Sequence, residues 1–379
     1  MIMSIDNKDK ILNVPNLRFP GFGGEWKTLF VDDVCPEFQS GKNIKAENIK
    51  SEGLYPVYGG NGLRGYTDIY NHDGTYVLIG RQGALCGNVR LVEGRNYITE
   101  HAIAVSSSNE HCIYFLYYLF YKMNLGQYSD QSAQPGLAVN KLLRLKLHIP
   151  LKDEQTKIAK ILTLLDTRIA TQNKIIEKLE SLIKGICNKL LFADNGKPVR
   201  LIDILTERTE KTKENNQHEV LSSTVKGIFS QREYFSKDIA SENNIGYKII
   251  RLYDIVLSPQ NLWMGNINYN EKFKVGIVSP SYKIFSIKAE YDKRFVAFML
   301  KTHRALYNYM LVSEQGASVV RRNLNMEAFE QLVFRMPPYD KQREIGKTLS
   351  FLQSRLDLET EIKLDYEQQK KYLLTEMFI

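Results

Sequence analysis

The 379-residue chain has little cysteine and arranges none of it for chemistry. Cys35, Cys86, Cys112 and Cys187 are scattered, no C-x-x-C pair forms, and no histidine stands at metal-ligand spacing from them. They read as free thiols of a reducing cytoplasm, and no metal is expected in this chain. Long hydrophobic runs are missing too. The longest, near Ile113 to Tyr121, is about half of what a bilayer span needs and is rich in tyrosine, so it reads as a buried helix. Met1 to Lys10 is polar with no apolar core, which argues against a signal peptide. The expectation is a soluble, cytoplasmic protein without membrane contact. Self-contained catalysis is not encoded either: no G-x-S-x-G elbow, H-E-x-x-H, P-loop or EF-hand is present.

Four near-motifs fail on inspection. Gly60-Asn61-Gly62-Leu63-Arg64-Gly65 satisfies G-x-G-x-x-G, but Tyr66-Thr67-Asp68 follows without helical period or a distant acidic residue, so a β-turn is expected. Met336-Pro337-Pro338-Tyr339 resembles the N/D-P-P-Y of adenine-N6 methyltransferases. Met336 lacks the side-chain oxygen that would accept from the target amine, and no glycine-rich cofactor motif precedes it. Glu361-Ile362-Lys363 has nuclease-like spacing but lies within a helical pattern, where a solvated charged face is expected. His101, after Thr99 and Glu100, reads as a structural histidine.

What is present is a heptad seam. Between Leu151 and Phe192 the apolar positions are Ile158, Leu162, Leu165, Ile169, Ile176, Leu179, Ile183, Ile186 and Leu190, stepping by four and three with a polar break at Gln172. Such a helix runs to roughly 60 Å, too long for the interior of an ordinary domain. Asp194-Asn195-Gly196-Lys197-Pro198 stops it. The stretch from Pro338 to Phe378 repeats the first at a constant offset of 187 residues: Pro150 with Pro337, Asp153 with Asp340, Gln155 with Gln342, Ile158 with Ile345, Leu162 with Leu349, Leu165 with Leu352, Arg168 with Arg355, Ile169 with Leu356, and the break Gln172 with Glu359. Lys363 and Lys370 occupy inward positions of the second, poorer seam. The period is too long for a solenoid. It describes a duplicated unit, each copy a globular part followed by a long helix, with the two helices pairing antiparallel.

The expected fold is therefore α+β: two globular mixed α/β domains separated by two long helices that pair as an antiparallel coiled coil, with a pseudo-two-fold internal repeat. The divisions are an unstructured lead-in over 1–22, a first domain over 23–150, a first helix over 151–194, a second domain over 195–338 and a second helix over 339–379. In the first domain, strands are expected over Tyr76 to Gly80, Ala102 to Val105 and Leu142 to Ile149, with an aromatic helix from Ile113 to Asn124. In the second, a strand over Tyr253 to Ser258 and a helix over Phe295 to Leu306 take the corresponding places. The scaffold repeats while the loop chemistry does not.

Net charge is +8 with a pI near 9.0, a mildly basic balance that suits a nucleic-acid partner without proving one. The loops carry groups suited to base edges and phosphates, since Arg takes guanine bidentately and Asn or Gln takes adenine. The candidates are Tyr58, Asn61, Arg64, Arg81, Gln82, Asn88, Gln127 and Gln134 in the first domain. In the second they are Ser223, Lys226, Gln260, Asn261, Trp263, Tyr282, Arg321, Arg322 and Asn323. Lys and Ser nearby would hold phosphates and set register. Surface loops are polar in any protein, so each residue alone carries little weight.

Taken in order, these residues resemble the specificity subunit of type I restriction–modification enzymes, over essentially the whole chain. The likeness rests on Leu17-Arg18-Phe19-Pro20-Gly21-Phe22 with Trp26, and on Tyr55-Pro56-Val57-Tyr58-Gly59 with Asn61-Gly62 and Gly65-Tyr66-Thr67-Asp68. It continues in Gly80-Arg81-Gln82-Gly83 with Gly87-Asn88-Val89, in Ser132-Ala133-Gln134-Pro135-Gly136-Leu137, and in Ile149-Pro150-Leu151 with Glu154-Gln155. The second half departs, with Lys341 at the Glu154 position and no Gln-Pro-Gly loop. The resemblance implies that each domain binds one half of a split, asymmetric site in double-stranded DNA, with the helices setting the gap and docking two methyltransferase subunits. It implies S-adenosylmethionine in those subunits, ATP and Mg in the restriction subunits that join for cleavage, and no cofactor or catalysis in this chain. The competing class is a scaffold whose coiled coil joins two protein-binding domains.

Overall fold

Two long helices carry the architecture. The first is Lys152–Leu190 and the second Tyr339–Glu376; they start at or next to the expected 151 and 339, and the second ends three residues before the expected 379. The computed structural model describes residues 13–130, 136–190, 196–234, 243–315 and 322–379. Packing divides the chain into two units: one runs to Asn173 and takes back Glu361–Ile379, and the other is Lys174–Thr360. Both boundaries fall inside the long helices.

In the first unit, Phe38–Ser40, Ala102–Val105, Tyr76–Gly80 and Val89–Val92 form an antiparallel sheet in that order. The two central strands, Tyr76–Gly80 and Ala102–Val105, are buried on both faces, which explains the unbroken apolar letters of Val77-Leu78-Ile79. The helix Ile113–Met123 covers one face with Phe115, Leu116, Leu119 and Phe120. A second sheet runs Gly62–Thr67, Tyr55–Gly59, Arg95–Ile98, His72–Asp73, with one parallel pairing, Val57 opposite Tyr97. The same core takes in Ile158, Leu162 and Leu165 from the start of the first long helix and Leu373, Leu374, Met377 and Phe378 from the end of the second. Phe378 stacks on Phe115 with centroids 5.2 Å apart. Lys370, an inward charge in the seam, reaches Asp166 at 2.5 Å and lies over the Tyr118 and Tyr121 rings. The Tyr118 hydroxyl also donates to Asp166, and burial raises its pKa.

The second unit repeats the plan. Its main sheet runs Leu205–Glu207, Lys283–Ile287, Ile255–Leu257, Ile267–Tyr269, again antiparallel and in the same relative order. Each unit is opened and closed by one two-stranded ribbon, Lys27–Phe30 with Lys146–Ile149 and Lys197–Arg200 with Val333–Met336. Ile345 and Leu349 from the start of the second long helix are buried, and Ile183 and Ile186 from the end of the first pack on that core. The pairing sense is antiparallel, as the sequence implies. The seam is not uniformly buried: Ile169, Ile176, Leu179, Leu352 and Leu356 are half-buried, so the tightest packing lies where the helices enter the globular cores.

The repeated glutamines explain why both helices start alike. Gln155 Nε2 donates to Pro150 O at 2.9 Å and its Oε1 accepts from Cys112 N, at the head of the aromatic helix. Gln342 Nε2 donates to Pro337 O at 2.8 Å and its Oε1 accepts from Asp292 N, at the head of Lys293–Leu300. One side chain thus braces two helix starts in each copy.

Four expectations change. Leu142 to Ile149 is not one strand: Val139–Leu143 is a helical turn, with apolar residues at helical spacing, and only Lys146–Ile149 pairs. The helix over Phe295 to Leu306 is two helices, Lys293–Leu300 and His303–Leu311, because the Thr302 hydroxyl accepts from Ala305 N and caps a new start. The strand over Tyr253 to Ser258 is confined to Ile255–Leu257, with Tyr253 at φ +73°. The described part of the lead-in, from residue 13, is tied to the fold: Leu17 N donates to Glu376 O at 2.8 Å, Arg18 pairs with Glu154, and Phe19 packs on the core. The four cysteines are free, and burial pushes the Cys35 thiol up to about 12.

His111 yields a pH prediction. Gln155 Nε2 lies 3.3 Å from His111 Nδ1, an arrangement for the neutral ring, and burial holds the imidazole below its usual range despite Glu110. A histidine with a lowered folded pKa binds fewer protons folded than unfolded, so its stabilising contribution is present above about pH 6.5 and is lost as pH falls through the folded value. Thermal melts between pH 7.5 and 5 should fall more for the wild type than for His111→Gln. Equal pH slopes would remove His111 as a cause.

Candidate nucleic-acid interface

In the first unit three segments converge: the turn between Tyr55–Gly59 and Gly62–Thr67, the loop 80–88, and the turn 99–102. Backbone bonds lock them together. Arg81 N donates to His101 O at 2.9 Å, Thr99 N to Tyr58 O, Gly87 N to Gly80 O and Gly80 N to Asn88 O. Gly60 is required because a Cβ there would meet His101 O at 2.7 Å. The G-x-G-x-x-G stretch is a hairpin turn, with Gly62 at φ +104°, leading into a strand and not a helix. The result is a cleft of about 380 Å³ lined by Gly60, Asn61, Arg64, Gln82, Gly83 and His101. One cation, two amides and an imidazole share a wall without a nucleophile–base pair.

The other first-domain candidates fall elsewhere. Tyr58 is half-buried against Leu78 and Ile98. Arg81 turns inward, donating from Nη1 to Ser40 Oγ at 2.9 Å and from Nε to Leu137 O at 3.4 Å, so its guanidinium braces the loop. Asn88 is exposed at the far end of the loop. Gln127 Nε2 donates to Met123 O at 2.7 Å, closing the end of the aromatic helix. Gln134 lies outside the described residues.

The second unit gathers a different set. Arg322 N donates to Gln260 O at 3.2 Å, and its guanidinium lies 4.9 Å from the centre of the Trp263 ring, a cation–π contact. The Trp263 indole N–H is buried with no partner among the described residues. Gln260 and Asn323 are exposed and Asn261 is half-buried. Lys226 is exposed at the tip of the hairpin Leu221–Thr224 and Gly227–Ser230. Arg321 lies outside the described residues. Ser223 is 2% exposed, a correction to its reading as a loop contact: its hydroxyl donates to Asn266 Oδ1 and accepts from Asn268 Nδ2. The Tyr282 hydroxyl is likewise committed to Ser223 O.

Two features escape the sequence reading. The buried network of Ser223, Asn266, Asn268 and Lys301 is one; Lys301 Nζ donates to Asn268 Oδ1 at 2.7 Å and burial lowers its pKa. Its trace is alternation, with asparagine at 266, 268 and 270, within and on either side of the strand Ile267–Tyr269. The other is His101, whose place in the cleft depends on long-range pairing. No group of three or more potential metal ligands exists among the described residues, and no helix among them is long and apolar enough to cross a membrane.

The profile of a family described as the type I restriction modification DNA specificity domain matches residues 23–181 and again 197–368. The chain belongs to this family. The two matched segments are the two structural repeats. Among relatives of this specificity-domain protein, the type I restriction enzyme EcoprrI specificity subunit of Escherichia coli is 44% identical over 192 residues, covering 50% of this chain and 45% of the relative. The chain thus spans about half the length of that relative. A putative MjaX specificity subunit from Methanocaldococcus jannaschii is 24% identical over 320 residues, covering 76% and 73%. The fold is similar to that of a type I restriction–modification S subunit from M. genitalium, at a TM-score of 0.70 and 17% identity, covering 97% of this chain and 99% of that one.

Proposed function

We propose that this chain is a non-catalytic DNA specificity subunit that reads a bipartite, asymmetric site and directs adenine methylation and cleavage by partner subunits. The observation that carries it is that two copies of one sheet plan present different loop chemistry, an Asn61–Arg64–Gln82 cleft in one and an Arg322–Trp263 stack beside Gln260 in the other. Unlike readers on like scaffolds suit two unlike half-sites. Two methyltransferase subunits carrying S-adenosylmethionine, and restriction subunits using ATP and Mg, complete the assembly in this reading.

The test is methylome sequencing of cells expressing the chain with and without its methyltransferase subunit. A new adenine-methylated motif of two short halves around a fixed gap, seen only with both proteins, is the expected result. Binding to duplex DNA should weaken steeply with salt as counterions are released, which a protein-binding scaffold would not show. Inserting one helical turn after Gln172 should lengthen the gap and leave both halves unchanged; an unaltered gap would sink the helix as a ruler.

A further inference from the structure

We propose that Lys211, Lys248 and Lys283 form a seat for a backbone phosphate of duplex DNA, which fixes the register of the second domain on its half-site; this deepens the DNA-reading function above and rests on it. The three lysines meet around the turn 279–282. Lys248 opens the strand Lys248–Arg251 and lies opposite Val278, the last strand residue before the turn. Lys283 is the first strand residue after it and lies opposite Leu257, from which the loop with Gln260 and Trp263 departs. Lys211 faces Lys248 across an isolated antiparallel bridge. The bonds that flank this bridge are Thr212 N to Tyr247 O at 2.8 Å and Ile249 N to Glu210 O at 3.0 Å. They make Lys211 and Lys248 a non-hydrogen-bonded pair, the arrangement that brings cross-strand side chains closest.

Like charges directly opposite each other are destabilising, and the fold itself does not relieve this pair. Lys248 Nζ donates to Tyr282 O at 2.6 Å, a neutral partner. Burial lowers the Lys248 pKa, and the charges of Lys283 and Lys211 lower it further against Glu207. Glu207 is already held by Lys283 Nζ at 2.7 Å. The other acids close in sequence are taken as well, Glu210 by Arg251 and Asp254 by Arg208. Three ammonium groups thus share one carboxylate among the described residues, whereas a structural ion-pair cluster alternates its signs. In the turn, Ser279 Oγ and Ser281 Oγ stand 3.1 Å apart and add hydroxyl donors to the same rim. The missing partner is an anion. A phosphodiester supplies it, and seating it releases counterions. Such a contact carries no base information; it holds the neighbouring loop at a fixed place over the groove.

The experiment uses the full chain with its methyltransferase subunit and a duplex carrying the site found by methylome sequencing, and measures affinity against salt. Lys211→Gln with Lys248→Gln should flatten the slope of log affinity against log salt by about 0.9, the value of one phosphate, which is roughly a fivefold loss at about 0.15 M. Base preferences selected from a randomised pool should match the wild type at every position. Lys272→Gln with Lys274→Gln is the control. It removes the same charge at the far end of the ribbon formed by Lys248–Arg251 and Val275–Val278, where both lysines are exposed. Screening over that distance should keep its effect on the slope below about 0.3. Lys211→Glu gives Lys248 an opposite charge across the bridge, so it should raise the melting temperature of the free chain while weakening DNA binding. An unchanged salt slope in the Lys211–Lys248 double variant, an equal change in the control, or an altered preference at any base would overturn the phosphate seat and leave the half-site reading standing. A wild-type complex with no sequence preference would overturn the DNA-reading function itself.

Discussion

Replacing Arg18 with alanine is expected to cost about 3–5 kcal/mol of the unfolding free energy of the first unit, the range for removing one partner of a buried ion pair. Glu154 is 1% exposed, and both of its carboxylate oxygens accept at 2.7 Å from Arg18 Nε and Nη2. Nη1 and Nη2 also donate to Gly24 O and Gly23 O, so one guanidinium ties the lead-in to the first turn of the long helix. Truncation strands a carboxylate where water does not reach. The helix dipole helps a carboxylate in the first turn by only about 0.3–1 kcal/mol, too little to replace the pair. Removing both charges, as in Arg18→Met with Glu154→Leu, should recover most of the loss. The repeat supplies the control: Lys341 occupies the Glu154 position, exposed and paired with Glu344 one turn on, and Lys341→Ala should change stability by less than about 0.5 kcal/mol. Urea titrations of these variants make the measurement. A loss under about 1 kcal/mol for Arg18→Ala would show that the pair does not anchor the lead-in.

Gly87→Ala should destabilise the same unit by about 2–4 kcal/mol, combining a left-handed backbone with overpacking. Gly87 sits at φ +85°, and a Cβ there would fall inside the backbone of Leu125 and Gly126, just beyond the aromatic helix. Backbone cannot swing aside as a flexible side chain can. The loop 80–88 would have to lift, carrying Gln82 with it, so recognition by the first domain should weaken at least about tenfold while the other half-site is read as before. Gly83 separates the two causes: its φ is +82°, with nothing within 4 Å of an added Cβ. Gly83→Ala should show only the backbone cost, about 1–2 kcal/mol. Equal effects for the two substitutions in thermal melts would contradict the steric account.

The parts of the fold visible in the letters are those set by local periodicity. A seam stepping four and three over nearly forty residues has one solution, and both long helices start close to where the pattern starts. Tyr76–Gly80 and Ala102–Val105 are strands where unbroken apolar runs say so. The errors come where a single side chain overrides a run. Thr302 starts a new helix within an apolar stretch, and Val139–Leu143 turns helical between a loop and a strand. The candidate site was partly legible in the same way. Asn61, Arg64 and Gln82 are polar letters at turns, and the fold brings them to one cleft. Arg81 and Ser223 carry the same letters, yet their partners Ser40, Leu137, Asn266 and Asn268 lie far away in sequence and draw them inward.

By itself, the sequence determined the duplication, the two long helices, their antiparallel sense and the family, because these rest on spacing and ordered motifs that need no knowledge of distant contacts. The tertiary structure alone decided which polar groups face a ligand and which brace the scaffold. Arg18 became an anchor of the lead-in, Arg81 a strut and His101 a wall of the cleft, because donors and acceptors are satisfied by whatever the folded backbone brings within about 3 Å, and residues 19 to 136 positions apart meet only once the sheets have formed.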